Sequence, residues 1–384
     1  MPTDPGASTR ALPVAAKKIF PGDVSTISLF QGGQGSQLKD HSAIIDKRVL
    51  ELPKVDLHRH LEGSIRLDTM AEIVREASLP LPKDIESLRK LVQVVDGDPK
   101  TSEHFLSKFT NIRLFFRSPE IIQRITIEAV EDAARDQVRY LELRFTPAAL
   151  AQSGVFDMED VTRWVIGAAA EAASAHGIEV GLIVSVNRHE SLEIAEEAAR
   201  IAADYIQDGV VGLDLAGDEV EFPAQPFQSL FASAKQAGLG LTIHAGEWTG
   251  AENVRHAILE LGTDRIGHGI RVLDDPKVVS LAREREIPFE VSIGSNYLTG
   301  VTPSLNAHPL PQMIQAGLQT VLTTDDPSIF GTTLSLEFQH AVDHLGLSLE
   351  SLKGFALTAA QAAFLDPHRS SQLESEFVSL FWRQ

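Results

Sequence analysis

The alternation of short apolar strands with amphipathic helices predicts an α/β fold, a (β/α)8 TIM barrel, over residues 49–384. Three observations predict it. Eight apolar runs recur along the chain, most of them followed by a helical segment. Histidines, carboxylates and other polar residues collect where these runs end, which in a barrel is one mouth. The first strand-to-helix turn lacks a Gly-X-Gly-X-X-Gly pattern, which lowers the case for a dinucleotide-binding sheet. A doubly wound open sheet remains the alternative, because a strand count does not show closure.

Residues 1–48 are mixed and aperiodic and include Gly32-Gly33-Gln34-Gly35-Ser36-Gln37. They are expected to form a partly disordered extension or surface arm, and they are a candidate for a subunit contact in a homo-oligomer. Ordered structure is expected from Leu52. Val55-Asp56-Leu57-His58-Arg59-His60 alternates as a strand does, so His58 and His60 share one face. Extra helices are expected over 67–135, before the second strand: Met70, Ile73 and Val74 keep helical spacing, and Pro80 and Pro82 interrupt it. Phe105, Leu106 and Phe109 line one helical face, which either covers a pocket mouth or packs in the core. Beyond these, strands are expected at 138–145, 178–186, 211–215, 240–244, 265–268, 288–293 and 319–323. Helices are expected at 161–176, 191–208, 227–238, 251–261, 276–285 and 309–317. Such alternation implies parallel strands with right-handed crossovers.

Composition narrows the chemistry. The formal net charge of -19 argues against a nucleic-acid footprint and against an anionic membrane surface. No run of about 18 apolar residues is present, so no membrane span is expected. Residues 1–18 carry charges at both ends and do not read as a signal peptide; a cytoplasmic protein is expected. With no cysteine, disulfides, thiolate metal sites and cysteine nucleophiles are excluded together, so any metal falls to His, Asp or Glu.

The strand ends carry His58 and His60, Arg144, Asn187, Gly217, His244 with Glu247, His268, Ser295 with Asn296, and Asp325 with Asp326. His58, His60 and His244 offer three imidazoles and Asp325 a carboxylate, a donor set suited to a catalytic zinc with one position left for water. Such a metal lowers the pKa of bound water to about 7. Glu247 and His268 are then candidates for proton transfer, and Asp326 is free to face a substrate. Asp325-Asp326-Pro327 also reads as a helix cap, since aspartate before a proline at the first helical position caps well; one aspartate can cap while the other binds.

The motifs resemble one family, the adenosine deaminases within the amidohydrolase-fold metal-dependent hydrolases. The matching segments are Lys54-Val55-Asp56-Leu57-His58-Arg59-His60-Leu61-Glu62-Gly63-Ser64, Asp214-Leu215-Ala216-Gly217-Asp218-Glu219, His244-Ala245-Gly246-Glu247, Arg265-Ile266-Gly267-His268-Gly269, Ser295-Asn296-Tyr297-Leu298-Thr299-Gly300, His308-Pro309 and Thr324-Asp325-Asp326-Pro327. They occur in the family's order, and the resemblance spans about 51–365.

The resemblance implies one zinc per chain held by His58, His60, His244 and Asp325, and a small purine as substrate. It implies that Glu247 protonates purine N1 while His268 and Asp325 position a hydroxide that attacks C6, after which ammonia leaves. It also implies that Asp326 meets N7, that the Gly217 amide meets N3, and that Phe105 and Phe109 line the pocket entrance.

The sequence departs from the family at three places. Glu62 stands where members commonly carry an aspartate that contacts the ribose 5′-hydroxyl, and relatives acting on adenine or modified adenosines often carry glutamate there. Ser292-Ile293 replaces the usual Cys-Pro, and Ser102 replaces an apolar residue one turn before Phe105. The implied reaction is hydrolytic deamination of adenosine and 2′-deoxyadenosine, with adenine or a 5′-modified adenosine as the alternative substrate. Two other rivals are a ring-opening amidohydrolase and a silent nucleoside-binding relative. The first is disfavoured because no lysine ends the fourth strand, and the second because every expected ligand and Glu247 are intact.

Overall fold

The computed structural model describes residues 45–152 and 155–382. Eight strands follow one another around a single sheet: β1 (Lys54–His60), β2 (Val138–Phe145), β3 (Glu179–Asn187), β4 (Val210–Ala216), β5 (Gly240–His244), β6 (Arg265–Gly267), β7 (Pro288–Val291) and β8 (Gln319–Leu322). Every neighbouring pair is parallel. The sheet closes through a parallel bridge between Arg59 and Asp325, where His60 N–H donates to Asp325 O at 2.8 Å and Asp325 N–H donates to His58 O at 2.8 Å. Closure removes the open-sheet alternative and, in the same step, brings Asp325 to the two histidines of β1.

Strand positions match the expected runs to within two residues, and two of the shifted ends have a visible cause. β7 stops at Val291, not 293, because the chain turns into the helix Ile293–Leu298, whose Gly294 N–H is held by Glu337 Oε2 at 2.9 Å. Ser295 and Asn296 therefore sit on a helix and not on a strand end. β6 stops at Gly267, since His268 adopts φ +57° and cannot continue the strand.

The helical stretch expected before β2 consists of four α-helices, Leu67–Glu76, Ile85–Val92, Ser102–Ile112 and Pro119–Arg135. Their starts follow capping chemistry: Asp84 accepts from Ser87 N–H, Thr101 from His104 N–H, and Ser118 from Ile121 N–H with Pro119 at the first position. Residues 1–44 of the expected extension lie outside the described residues. Residues 45–48 join the barrel: Asp46 caps a short helix, Lys47–Leu50, and its amide donates to Gln339 Oε1 at 2.9 Å. Four helical residues show no periodicity for a sequence reading to find.

The lower interior of the barrel is ionic. The buried Arg265 contacts Glu142 and reaches Glu290 Oε1 at 2.6 Å in full burial, and it donates to the half-buried Ala362 O at 2.8 Å. Lys54 gives its three protons to the carbonyls of Leu50, Leu52 and Asp136, and burial pushes its pKa down to about 8. Replacing Arg265 by Met leaves Glu142 and Glu290 without that cation. The expected result is a loss of about 3–5 kcal/mol in unfolding free energy, read from urea melts. Among the described residues no helix is long and apolar enough to cross a membrane.

Candidate active site

At the C-terminal mouth four donor atoms converge. His58 Nε2 lies 3.2 Å from His60 Nε2, and His60 Nε2 lies 3.4 Å from His244 Nε2. Asp325 Oδ1 is 3.2 Å from His58 Nε2 and 3.5 Å from His60 Nε2. A tetrahedron whose corners sit about 2.0–2.1 Å from its centre has edges of about 3.3–3.4 Å, so these separations fit a zinc-sized cation. Burial, with neighbouring His58 second, holds the His60 pKa well below the usual imidazole value, which leaves the ring neutral and able to coordinate. His268 also belongs to a group with His58, His244 and Asp325 whose donor atoms lie within 4.8 Å. Its Nε2, however, faces Glu247 Oε2 at 3.7 Å and the second Asp325 oxygen at 3.9 Å. It therefore stands beside the four-donor cluster, between Asp325 and Glu247.

The imidazoles are aimed from behind by residues the strand-end expectations did not assign. His58 Nδ1 meets Glu290 Oε2 at 2.8 Å, and His244 Nδ1 meets Asp214 Oδ1 at 3.0 Å. Arg144 spans both carboxylates, at 2.9 Å from Glu290 and 3.5 Å from Asp214. Burial alone would raise the Glu290 carboxyl, but Arg144 and Arg265 outweigh it and hold the group well below the usual carboxylate range. Ionised acceptors fix the Nδ1–H tautomer and turn each Nε2 lone pair toward the cluster. Glu290 leaves one trace in the sequence, a lone charge inside the apolar strand Pro288-Phe289-Glu290-Val291. Asn187, by contrast, closes its own turn by donating to Glu190 Oε1 at 3.1 Å.

Among the described residues, two of the six non-glycine residues with positive φ are His268 (+57°) and Asp325 (+63°). Held in a sparsely populated region, both turn inward at the point where their strands end. Asn296 Nδ2 meets His268 Nδ1 at 3.3 Å, and His308 Nε2 meets Asn296 Oδ1 at 3.1 Å, so a polar chain steadies His268 from outside.

The surroundings of the cluster carry further buried carboxyls. Burial first, then the Asp325 and Glu219 carboxylates, pushes Glu247 well above the ordinary value. Asp326 is pushed up by burial, then by Asp325 and Glu62, and its Oδ1 has no protein partner. Glu62 Oε1 accepts from Thr146 N–H at 2.8 Å, its Oε2 is buried without a partner, and burial raises its pKa to about 7. Phe105 is buried and stacks on Phe330 at 5.0 Å, with Phe109 edge-on at 5.4 Å. The pair thus braces the helix Pro327–Phe330 that follows Asp326. Gly217, at φ +94°, is half-buried just past the end of β4.

Gly63 leaves the room in which Asp326 lies: a Cβ there would fall 1.8 Å from Asp326 Oδ1. Gly63→Ala must displace that carboxyl. An expected drop of about 100-fold in kcat/KM, with metal content unchanged, would be read from steady-state kinetics and metal analysis.

A protein-family model described as adenosine deaminase matches residues 53–379. The chain belongs to the adenosine deaminase family. An adenosine deaminase of Enterococcus faecalis is 34% identical over 331 residues, covering 86% of this chain and 97% of that one. Among solved structures, the adenine deaminase from Arthrobacter aurescens superposes with a TM-score of 0.77 at 27% identity, covering 86% of this chain and 99% of that one. An amidohydrolase from Burkholderia ambifaria with bound Zn gives a TM-score of 0.79 at 26% identity, covering 87% and 92%. The N6-methyl-AMP deaminase from Arabidopsis thaliana gives 0.77 at 28%, covering 88% and 99%. As an adenosine deaminase family member this chain is an amidohydrolase-type deaminase, and its His/Asp cluster could hold a metal ion.

Proposed function

We propose that the protein is a zinc-dependent deaminase of adenosine and 2′-deoxyadenosine, releasing inosine or 2′-deoxyinosine and ammonia. The observation that carries this reading is the placement of two buried carboxyls beside the four-donor cluster, Glu247 facing His268 at 3.7 Å and Asp326 next to Asp325 and His60, both with pKa values pushed up. A raised carboxyl keeps its proton near neutral pH and can donate it. N1 and N7 of a purine substituted at N9 are both acceptors, so the two donors complement such a ring. Burial is the largest cause at both groups, and burial does not depend on what the cluster holds.

A zinc ion held by His58, His60, His244 and Asp325 would supply a hydroxide at neutral pH. Glu247 gives its proton to N1, which withdraws electron density from C6 and opens it to attack. His268, neutral because burial holds its pKa well down, stands between Glu247 and Asp325 to orient the attacking oxygen and to accept its proton. Asp326 donates to N7, and the amide of Gly217 serves N3 at the rim. With C6 tetrahedral, the proton that His268 has taken from the oxygen passes to the amino group, the C6–N bond breaks, and ammonia leaves.

A second reading, adenine or a 5′-modified adenosine, rests on Glu62. Its length brings Oε1 onto the Thr146 amide and leaves Oε2 buried and unpartnered where a ribose 5′-hydroxyl would be met. Two of the structural neighbours are named for adenine and for N6-methyl-AMP.

Ultraviolet absorbance with adenosine, 2′-deoxyadenosine, adenine and 5′-substituted adenosines separates the readings. The highest kcat/KM is expected with the two unmodified nucleosides. Turnover confined to adenine or to a 5′-substituted compound would move the substrate to the second reading. Metal-loaded protein inert toward all of them would leave a binding protein.

A further inference from the structure

Glu219 lies in the loop after β4, away from the donor cluster, and is buried. Its Oε2 accepts from Gly246 N–H at 2.9 Å and from Asn253 Nδ2 at 3.0 Å. Its Oε1 accepts from the amides of Glu247 at 2.8 Å, Trp248 at 2.7 Å and Thr249 at 2.9 Å. Four consecutive amides therefore converge on one carboxylate. They belong to the bend between His244, the last residue of β5, and the helix Ala251–Leu259. Gly246 makes the bend possible at φ +68°.

The amides of residues 246–249 donate to no backbone carbonyl in the strand and helix ladders, and an ionised carboxylate is acceptor-only, so its two oxygens can gather all five donors by sharing lone pairs among them. Burial alone would raise the Glu219 carboxyl; the amide and Asn253 hydrogen bonds, with the Arg188 charge after them, outweigh it and lower its pKa. The backbone of Glu247 is thus held at its own N–H and at both flanking amides by a single side chain. That side chain comes from a different loop.

We propose that Glu219 is a positioning residue for Glu247, setting where the acid at 247 stands relative to the reacting ring. This rests on the acid role proposed for Glu247. The physical consequence is specific. An amide at 219 keeps one acceptor oxygen and turns an NH2 group toward backbone donors, so the bend has to shift while β5, His244 and its partner Asp214 stay in place.

The test is a double-mutant cycle on the zinc-loaded full chain with the nucleoside it turns over best. Glu219→Gln is expected to lower kcat by about 10–100-fold, the size of effect a displacement near 1 Å produces, with KM within about threefold and metal content unchanged. In a Glu247→Gln background the same substitution is expected to cost less than about twofold, because the group it positions is gone. A loss that multiplies in full in that background, or wild-type kcat for folded Glu219→Gln, overturns the proposal. If Glu219→Gln does not fold, Glu219→Asp goes through the same cycle, and failure of both to fold assigns Glu219 to holding the loop alone and overturns it too. Near-normal turnover by Glu247→Gln by itself sinks the acid reading, an outcome seen in a separate corner of the cycle.

Discussion

Glu247→Gln is expected to retain its metal and to lose more than about 100-fold in kcat, within the 10²–10⁴ range of general acid–base contributions. Gln keeps the shape and still fills the pocket, but it has no acidic proton to give to N1. The ligands are untouched: His244 stays bonded to Asp214 at 3.0 Å, and Asp325 stays within 3.2 Å of His58. Zinc stoichiometry measured beside kcat therefore separates proton transfer from metal loss. Turnover near wild type would remove Glu247 from proton transfer.

The same substitution has a signature that needs no substrate. In the unfolded chain Glu247 ionises near pH 4.5, whereas in the fold burial and neighbouring carboxylates raise its pKa well above that. The folded state therefore holds the extra proton, and this group's contribution to stability falls as pH rises from about 4.5 toward the raised value. Glutamine carries no such penalty. Metal-free Glu247→Gln is expected to melt higher than metal-free wild type at neutral pH, and equal melting temperatures there would argue against a raised carboxyl.

Much of this site could be read from the chain because a parallel barrel gathers strand ends. His58 and His60 are two apart on β1, and His244 ends β5; side-chain alternation and topology place all three without any contact having been seen. What the sequence hides is whatever depends on direction behind the strand ends. Asp214 and Glu290 point into the barrel from β4 and β7 and meet their histidines only once the sheet is curved and closed. Arg144 was legible as a strand-end residue, but not as the cation spanning both carboxylates. The left-handed turns at His268 and Asp325 were illegible for another reason: aspartate and histidine are enriched in such a backbone, but they adopt it too seldom for residue type alone to mark the position. Phe105 shows ambiguity of another kind. Helical spacing allowed core or pocket mouth, and the ring stacks on Phe330, which joins the two by bracing the helix that begins after Asp326.

His58→Ala is expected to abolish stable zinc binding while leaving a folded barrel. The fold should survive because the carboxylate behind His58 is not left alone: Glu290 still meets Arg144 at 2.9 Å, Arg265 at 2.6 Å and Thr242 Oγ1 at 2.9 Å. Three donors remain, but His60, His244 and Asp325 then close only part of the coordination shell, and the bridge at Arg59–Asp325 keeps them from collapsing inward. Metal content after dialysis against a chelator should fall well below one per chain, with the far-ultraviolet circular dichroism of the barrel retained. Glu290→Gln should fall between this variant and wild type, since loss of a group that orients a ligand costs about 10–100-fold in metal affinity. That ordering tests the geometry more sharply than either variant alone. If Glu290→Gln released metal as fully as His58→Ala, the carboxylate would be holding the barrel's charge balance and not merely aiming an imidazole. Unchanged zinc stoichiometry in His58→Ala would remove His58 from the ligand set and point to His268, whose Nε2 is the next imidazole nitrogen facing Asp325.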